Sequence, residues 1–168
     1  NQRLRIQVSA EGSTSSLSST YQLEYATAAP TCALATTWNV VSTSSSAWQL
    51  VDSTFVLDAT DTTNLASAAN GALTDENDVF LTPNGAFRDQ TTQSNNLVFA
   101  TTSFAEFEYS ILATTNADDG ETYCFRMAQP SAPLQNYLVF PEATVAADVL
   151  VSATGTQTAS IVLPSMAA

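Results

Sequence analysis

The stretch Glu121-Thr122-Tyr123-Cys124-Phe125-Arg126-Met127, entered through the turn Asp118-Asp119-Gly120, decides the fold. Tyr123, Phe125 and Met127 alternate with Cys124 and Arg126. A period of two sends the first three side chains to one face and the other two to the opposite face. One apolar face, a cysteine behind it and a tight turn at the start predict a central strand of an antiparallel β-sandwich.

Working outward, the same alternation recurs. Leu4, Ile6 and Val8 alternate with Arg3, Arg5 and Gln7 as a first strand. Tyr21, Leu23 and Tyr25 alternate with Gln22 and Glu24 as a second, and Trp38, Val40 and Val41 form its hairpin partner. Trp48-Gln49-Leu50-Val51 and Thr54-Phe55-Val56-Leu57 read as short strands. Residues 65–96 are rich in turn signals, with Asn70-Gly71 and Pro83-Asn84-Gly85. Phe80, Leu81 and Phe87 need burial, so this is an ordered excursion rather than a linker. Strand patterning resumes over 96–101 and again where Phe107, Tyr109 and Ile111 alternate with Glu106, Glu108 and Ser110. Residues 137–140 read as a further strand. No segment has helical periodicity. The reading is all-β: an immunoglobulin or fibronectin III-like sandwich over 1–145, with a C-terminal strand extension over 146–168.

Composition narrows the function. Apolar residues are 45% of the 168, enough for a core, while charged residues are only 12%. Sixteen Asp and Glu face four Arg, with no Lys and no His, for a net charge of −12. Such a surface repels phosphate backbones and anionic headgroups, so nucleic acid is not an expected partner. No run is long and apolar enough to span a bilayer, so no membrane insertion is expected. The chain opens on Asn1 rather than Met, which suggests a processed product or a fragment. Two cysteines, low charge and Thr/Ser-rich strands suit an oxidising, extracellular, cell-surface setting. Without His or Lys the common catalytic bases are missing, and no triad or metal set assembles from the sequence, so no enzyme is expected.

The strand around Cys124 resembles the sixth strand of a fibronectin type III or immunoglobulin-like domain. Tyr123 lies one residue before the cysteine, whereas immunoglobulin domains place the tyrosine two before, so their disulfide pattern does not carry over. Three segments resemble a divergent repeat of large bacterial cell-surface proteins, including those of ultrasmall candidate-phylum lineages. They are Leu73-Thr74-Asp75-Glu76-Asn77, Phe104-Ala105-Glu106-Phe107-Glu108, and 120–126 with Tyr137 and Pro141 downstream. The resemblance covers about 1–145 and implies an extracellular repeat with no catalytic residues to transfer.

Candidate sites follow. If the Tyr21 strand pairs antiparallel with the Tyr123 strand, Cys124 comes near the loop carrying Cys32, and Arg126 lies across from Glu24. A Cys32–Cys124 disulfide is then expected, two free thiols being the alternative. Three acidic sets occur: Asp52, Asp58 and Asp61; Asp75, Glu76 and Asp78; and Asp118, Asp119 and Glu121. Oxygen-rich loops hold calcium, and Asp75, Glu76 and Asp78 are the candidates, with solvated loops as the plain alternative. No other cofactor is expected. Glu106 and Glu108 share a strand face, as a glycosidase pair of carboxylates would, but read as ordinary outward polar positions. Trp48 and Tyr137 are candidates for exposed stacking on sugar, against a core role.

Val149, Val151, Ile161 and Leu163 mark the extension as spare apolar strand, read as a subunit interface. It either joins its own sandwich, opens a following domain, or pairs with an exposed edge of another copy, such as the first strand. The favoured function is a structural subunit of an extracellular filament, pilus-like fibre or surface layer, partnered by copies of itself through β-strand addition. The alternative is an adhesin or carbohydrate-binding module using 65–96 as its contact surface.

Overall fold

In the computed structural model, residues 1–12, 15–44, 47–65, 78–130 and 132–146 are described. They form a β-sandwich with no α-helix among them. In chain order the strands are β1 (Gln2–Ala10), β2 (Gln22–Thr27), β3 (Asn39–Val40), β4 (Trp48–Leu50), β5 (Val79–Phe80), β6 (Phe87–Arg88), β7 (Ser103–Ala113), β8 (Thr122–Gln129), β9 (Ala132–Pro133) and β10 (Glu142–Thr144).

The first sheet is built on β7. β1 pairs antiparallel along one edge of it, from Gln2 opposite Ile111 to Ala10 opposite Ser103. The other edge of β7 is filled by three short pieces in turn. β5 lies parallel beside Ser103 and Phe104, β6 parallel beside Glu108 and Tyr109, and β4 antiparallel beside residues 111–113. The second sheet runs β10-β8-β2-β3, with β9 also on β8. Glu24 lies opposite Arg126, and Ala26 opposite Cys124, in the β2/β8 ladder. β3 returns on β2, with Val40 opposite Glu24.

The core forms where the inward sets of β7 and β8 meet. Tyr123, Phe125 and Met127 are buried against Phe107, Tyr109 and Ile111. Trp48 reaches in edge-on, its ring centroid 5.1 Å from Phe125 and 5.9 Å from Tyr123. Each such side chain contributes about 1.5–3 kcal/mol by leaving water, which outweighs the weak preferences of the turn-rich stretches around it. Gly120 adopts a φ of 76°, a left-handed value that glycine takes without steric cost. It closes the turn into β8, where the Asp118 backbone N–H donates to the Tyr123 hydroxyl at 2.9 Å.

Three strand expectations are corrected. Residues 54–57 form no strand; Phe55 is 92% exposed and Leu57 82%. The edge of β7 on this side is already shared among β4, β5 and β6, so this run finds no ladder. Residues 137–140 form none either, with Leu138 98% and Val139 79% exposed. After β9, pairing with β8 resumes at Pro141, whose carbonyl accepts from Phe125 N–H at 2.9 Å, and continues through β10. Over 96–101 the alternation is real, since Leu97 and Phe99 are buried and Val98 exposed. The pairing described there is an isolated bridge from Leu97 to Ser19, with the Ser16 N–H also donating to the Phe99 carbonyl at 2.8 Å.

No helix among the described residues is long and apolar enough to cross a membrane.

Candidate functional site

Sheet edges are where a sandwich can accept another strand, because edge N–H and C=O groups lack partners. Among the described residues the outermost strands are β1, β10, β9 and β3, with β4, β5 and β6 beyond β7. All but one are two or three residues long. The exception is β1, which holds nine residues in unbroken register with β7. It contains no proline, and no bulge interrupts its ladder. Short strands, proline and bulges are common protections of an edge, and among the described edges β1 has none of these three.

The two faces of β1 differ. Leu4, Ile6, Val8 and Ala10 point into the sandwich. Val8 is buried, while Leu4, Ile6 and Ala10 are only partly covered where they meet the core. Across the sandwich β1 packs on β8, whose neighbour is β10. Leu134, Ala143 and Val145 of that flank are likewise only partly covered. An incompletely closed apolar rim therefore runs along this side.

On its outer face β1 carries Arg3 and Arg5, which lean inward onto β7. Arg5 Nε donates to Glu108 Oε2 at 2.8 Å and Nη1 to Glu106 Oε2 at 2.6 Å. Arg3 pairs with the other oxygen of Glu108, and its guanidinium lies 5.5 Å from the centre of the Phe87 ring. The charge of Arg5 is thus spent on the next strand, while Arg3, paired to Glu108, keeps 56% of its side chain exposed.

This overturns the reading of Glu106 and Glu108 as ordinary outward positions. Glu106 is 0% exposed and Glu108 6%. The excursion lies over them: Leu65 N–H donates to Glu106 Oε1 at 2.8 Å, and the Thr62 hydroxyl to the Glu106 carbonyl at 2.6 Å. Arg5 also holds the Thr63 carbonyl at 2.9 Å. Both carboxylates are engaged by one guanidinium, an arrangement that fastens the loop to the sheet.

The first acidic set has a similar job. Asp58 accepts the backbone N–H of Asp89 at 3.1 Å and of Gln90 at 3.3 Å, together with the Thr91 hydroxyl. Asp61 accepts the N–H of Asn84 at 2.9 Å and of Gly85 at 2.6 Å. Asp52 accepts from the Gln90 side chain at 2.9 Å. Carboxylates are here spent on the turns of the excursion. Burial pushes the Asp58 carboxyl up, but the bonds from Thr91, Asp89 and Gln90 and the nearby charge of Arg88 outweigh it and hold it below its ordinary range. Asp89 moves the other way, raised by burial and by the charges of Asp58 and Asp52, although the Ser53 N–H bond opposes this. Among the described residues no three Asp, Glu or Cys side chains gather as a metal site. Of the calcium candidates, Asp78 is half-buried beside β5, and Asp75 and Glu76 lie outside the described residues.

Arg88 is the residue that sequence reading missed. It is 2% exposed, opposite Tyr109 in the β6/β7 ladder, and 3.3 Å from Asp58. A lone arginine in a turn-rich loop gives no periodic signal, so only the fold shows it as buried. Burial pushes the Tyr109 phenol well above its ordinary range.

The outer face of the β8 sheet carries the expected pair. Cys32 and Cys124 are joined, with Cα atoms 5.4 Å apart. Arg126 Nε donates to Glu24 Oε2 at 2.9 Å. Its guanidinium lies 4.2 Å from the Trp38 ring centre and 5.6 Å from that of Tyr137. Phe140 stacks between these two rings, 5.8 Å from Trp38 and 5.2 Å from Tyr137. The Tyr137 hydroxyl donates to the Met127 carbonyl at 2.7 Å. Of the two proposed sugar-stacking residues, Trp48 is 2% exposed and belongs to the core. Tyr137 spends one ring face on Phe140.

Val149, Val151, Ile161 and Leu163 lie outside the described residues. Comparison with protein-family models, curated proteins and solved structures finds no match.

Proposed function

We propose that this chain is a structural subunit of an extracellular filament, pilus-like fibre or surface layer, of the repeat type found in bacterial cell-surface proteins. Subunits join by strand addition at a sheet edge. The observation that carries this reading is β1, nine residues of outer strand that no described strand covers, with an apolar inner face. Main-chain hydrogen bonds along such an edge supply affinity, and pockets for alternate side chains supply specificity. The disulfide fits an oxidising address outside the cell. Sequence 1–145 serves as the sandwich and 146–168 as the connecting extension.

A second reading, an adhesin or carbohydrate-binding module, draws on the exposed Leu138 and Val139 beside the Trp38, Tyr137 and Phe140 stack. Electron microscopy of the purified full chain separates the two. Fibres or sheets are expected; single particles at every concentration, with retention on a glycan array, would replace the structural reading by the second.

A further inference from the structure

Resting on the strand-addition reading, we infer that residues 149–163 of a second copy fill the outer edge of β1, which no described strand covers, running antiparallel to it. The inference names the donor, the acceptor edge and the direction.

The donor pattern is in the sequence. Over 149–163 the odd positions are Val149, Val151, Ala153, Gly155, Gln157, Ala159, Ile161 and Leu163. The even positions are Leu150, Ser152, Thr154, Thr156, Thr158, Ser160 and Val162, and Pro164 follows. A single extended strand therefore shows small and apolar side chains on one face, with Gln157 the exception, and mostly hydroxyls on the other. That is the pairing β1 asks for. Partly covered Leu4, Ile6 and Ala10 need apolar neighbours inside, while Gln7 and Ser9 stand on the outer face.

Direction follows from where the described chain leaves the fold. β1 begins opposite Ile111, near the end of β7, and β8 begins just beyond the turn that follows β7. β10 ends opposite Thr122 at the start of β8, and the Gly120 N–H donates to the Val145 carbonyl at 3.0 Å. Residue 146 therefore leaves at the pole where β1 starts. An extension folding back on its own β1 would run parallel to it. An extension crossing to a second copy stacked head to tail arrives at the Ala10 pole and runs towards Gln2, antiparallel, the slightly more stable pairing per residue.

Length agrees. Fifteen extended residues span about 50 Å, against about 30 Å for the nine residues of β1. On its own subunit the surplus would carry Ile161 and Leu163 past the far pole. Between subunits it bridges the gap and brings those two residues onto the edge.

The test is disulfide trapping in the full chain. Gln7→Cys on the outer face of β1 is combined in turn with Thr156→Cys, Thr158→Cys and Ser160→Cys; Asn39→Cys in β3 replaces Gln7→Cys as the control edge. The native cysteines are buried and joined, so they stay out of the exchange. After mild oxidation, at least one Gln7→Cys combination is expected to give a ladder of dimers and longer oligomers on a non-reducing gel, with more than half the chains linked. A fast-migrating linked monomer without a ladder would show that the extension fills its own edge and overturn the second-copy assignment. A ladder from the β3 control alone, from fibres visible by electron microscopy, would overturn the β1 assignment and leave the filament reading standing. Absence of any assembly by electron microscopy would remove the filament reading and this inference with it.

Discussion

The two outer faces of the sandwich solve the same problem in different ways. Each buries an arginine and carboxylate set on its sheet. On the β8 face, Arg126 and Glu24 sit directly opposite in one ladder, with 16% and 12% of their side chains exposed. Aromatic rings from two segments lie over the arginine, Trp38 from just before β3 and Tyr137 from the stretch before β10. On the β7 face, Arg5 is also 16% exposed, but Glu106 is at 0%. What covers that pair is a segment more than forty residues distant in sequence, fastened by Thr62, Thr63 and Leu65. The lesson is that a strand's outward face is polar for two reasons: to meet water, or to hold a loop that excludes it. The charge pattern of β7 looks the same in both cases.

The difference can be broken or sharpened by substitution. The largest effect is expected on the β8 face, from the covalent clasp. Replacing Cys32 and Cys124 by Ser releases a cross-link spanning 92 positions. The chain-entropy model puts the loss at about 4–5 kcal/mol, read as a fall in the urea midpoint.

Next is Glu106→Ala on the β7 face. It strands part of Arg5 and frees Leu65 N–H, for a cost of about 3–5 kcal/mol. Glu24→Ala, the counterpart, leaves a guanidinium still covered by rings and is expected to cost about 1–2 kcal/mol. Equal losses would mean that the excursion does not bury Glu106 in solution.

A smaller effect divides two neighbouring carboxylates by pH. Asp58 is held below its ordinary range, so its stabilisation is present above about pH 4 and lost as the pH falls through its lowered value. Asp89 is raised, so its contribution is present below about pH 4 and lost as the pH rises through its raised value. Asp58→Asn should therefore lower the melting temperature at pH 7 and converge with the parent in strong acid. Asp89→Asn should raise it at pH 7 and leave it unchanged near pH 3. Curves moving together would contradict the opposed environments.

The smallest effect is Tyr137→Phe. It removes the hydroxyl that donates to Met127 and accepts from Leu134 N–H at 2.8 Å. A loss of about 1 kcal/mol is expected, with the stacked rings kept.

Much of the β2, β3 and β8 sheet was legible in the chain. Alternation at Tyr21, Leu23 and Tyr25 and at Tyr123, Phe125 and Met127 fixed which side chains face the core, and one assumed pairing then placed both Arg126 with Glu24 and Cys32 with Cys124. The β7 face was not legible, because β5 and β6 are two residues each and lie parallel to β7. Two residues carry no period, and their burial depends on the loops between them.

By itself, then, the sequence determined an all-β chain with alternating strands, its disulfide partners and the inner face of each long strand. Those follow from side-chain periodicity, which is a local property. Only the tertiary structure decided that Glu106, Glu108 and Arg88 are buried, that Phe55 and Leu138 are exposed, and that β1 is the long outer strand among the described residues. Burial and edge position depend on which distant segment arrives to pair, and no local pattern encodes an arrival.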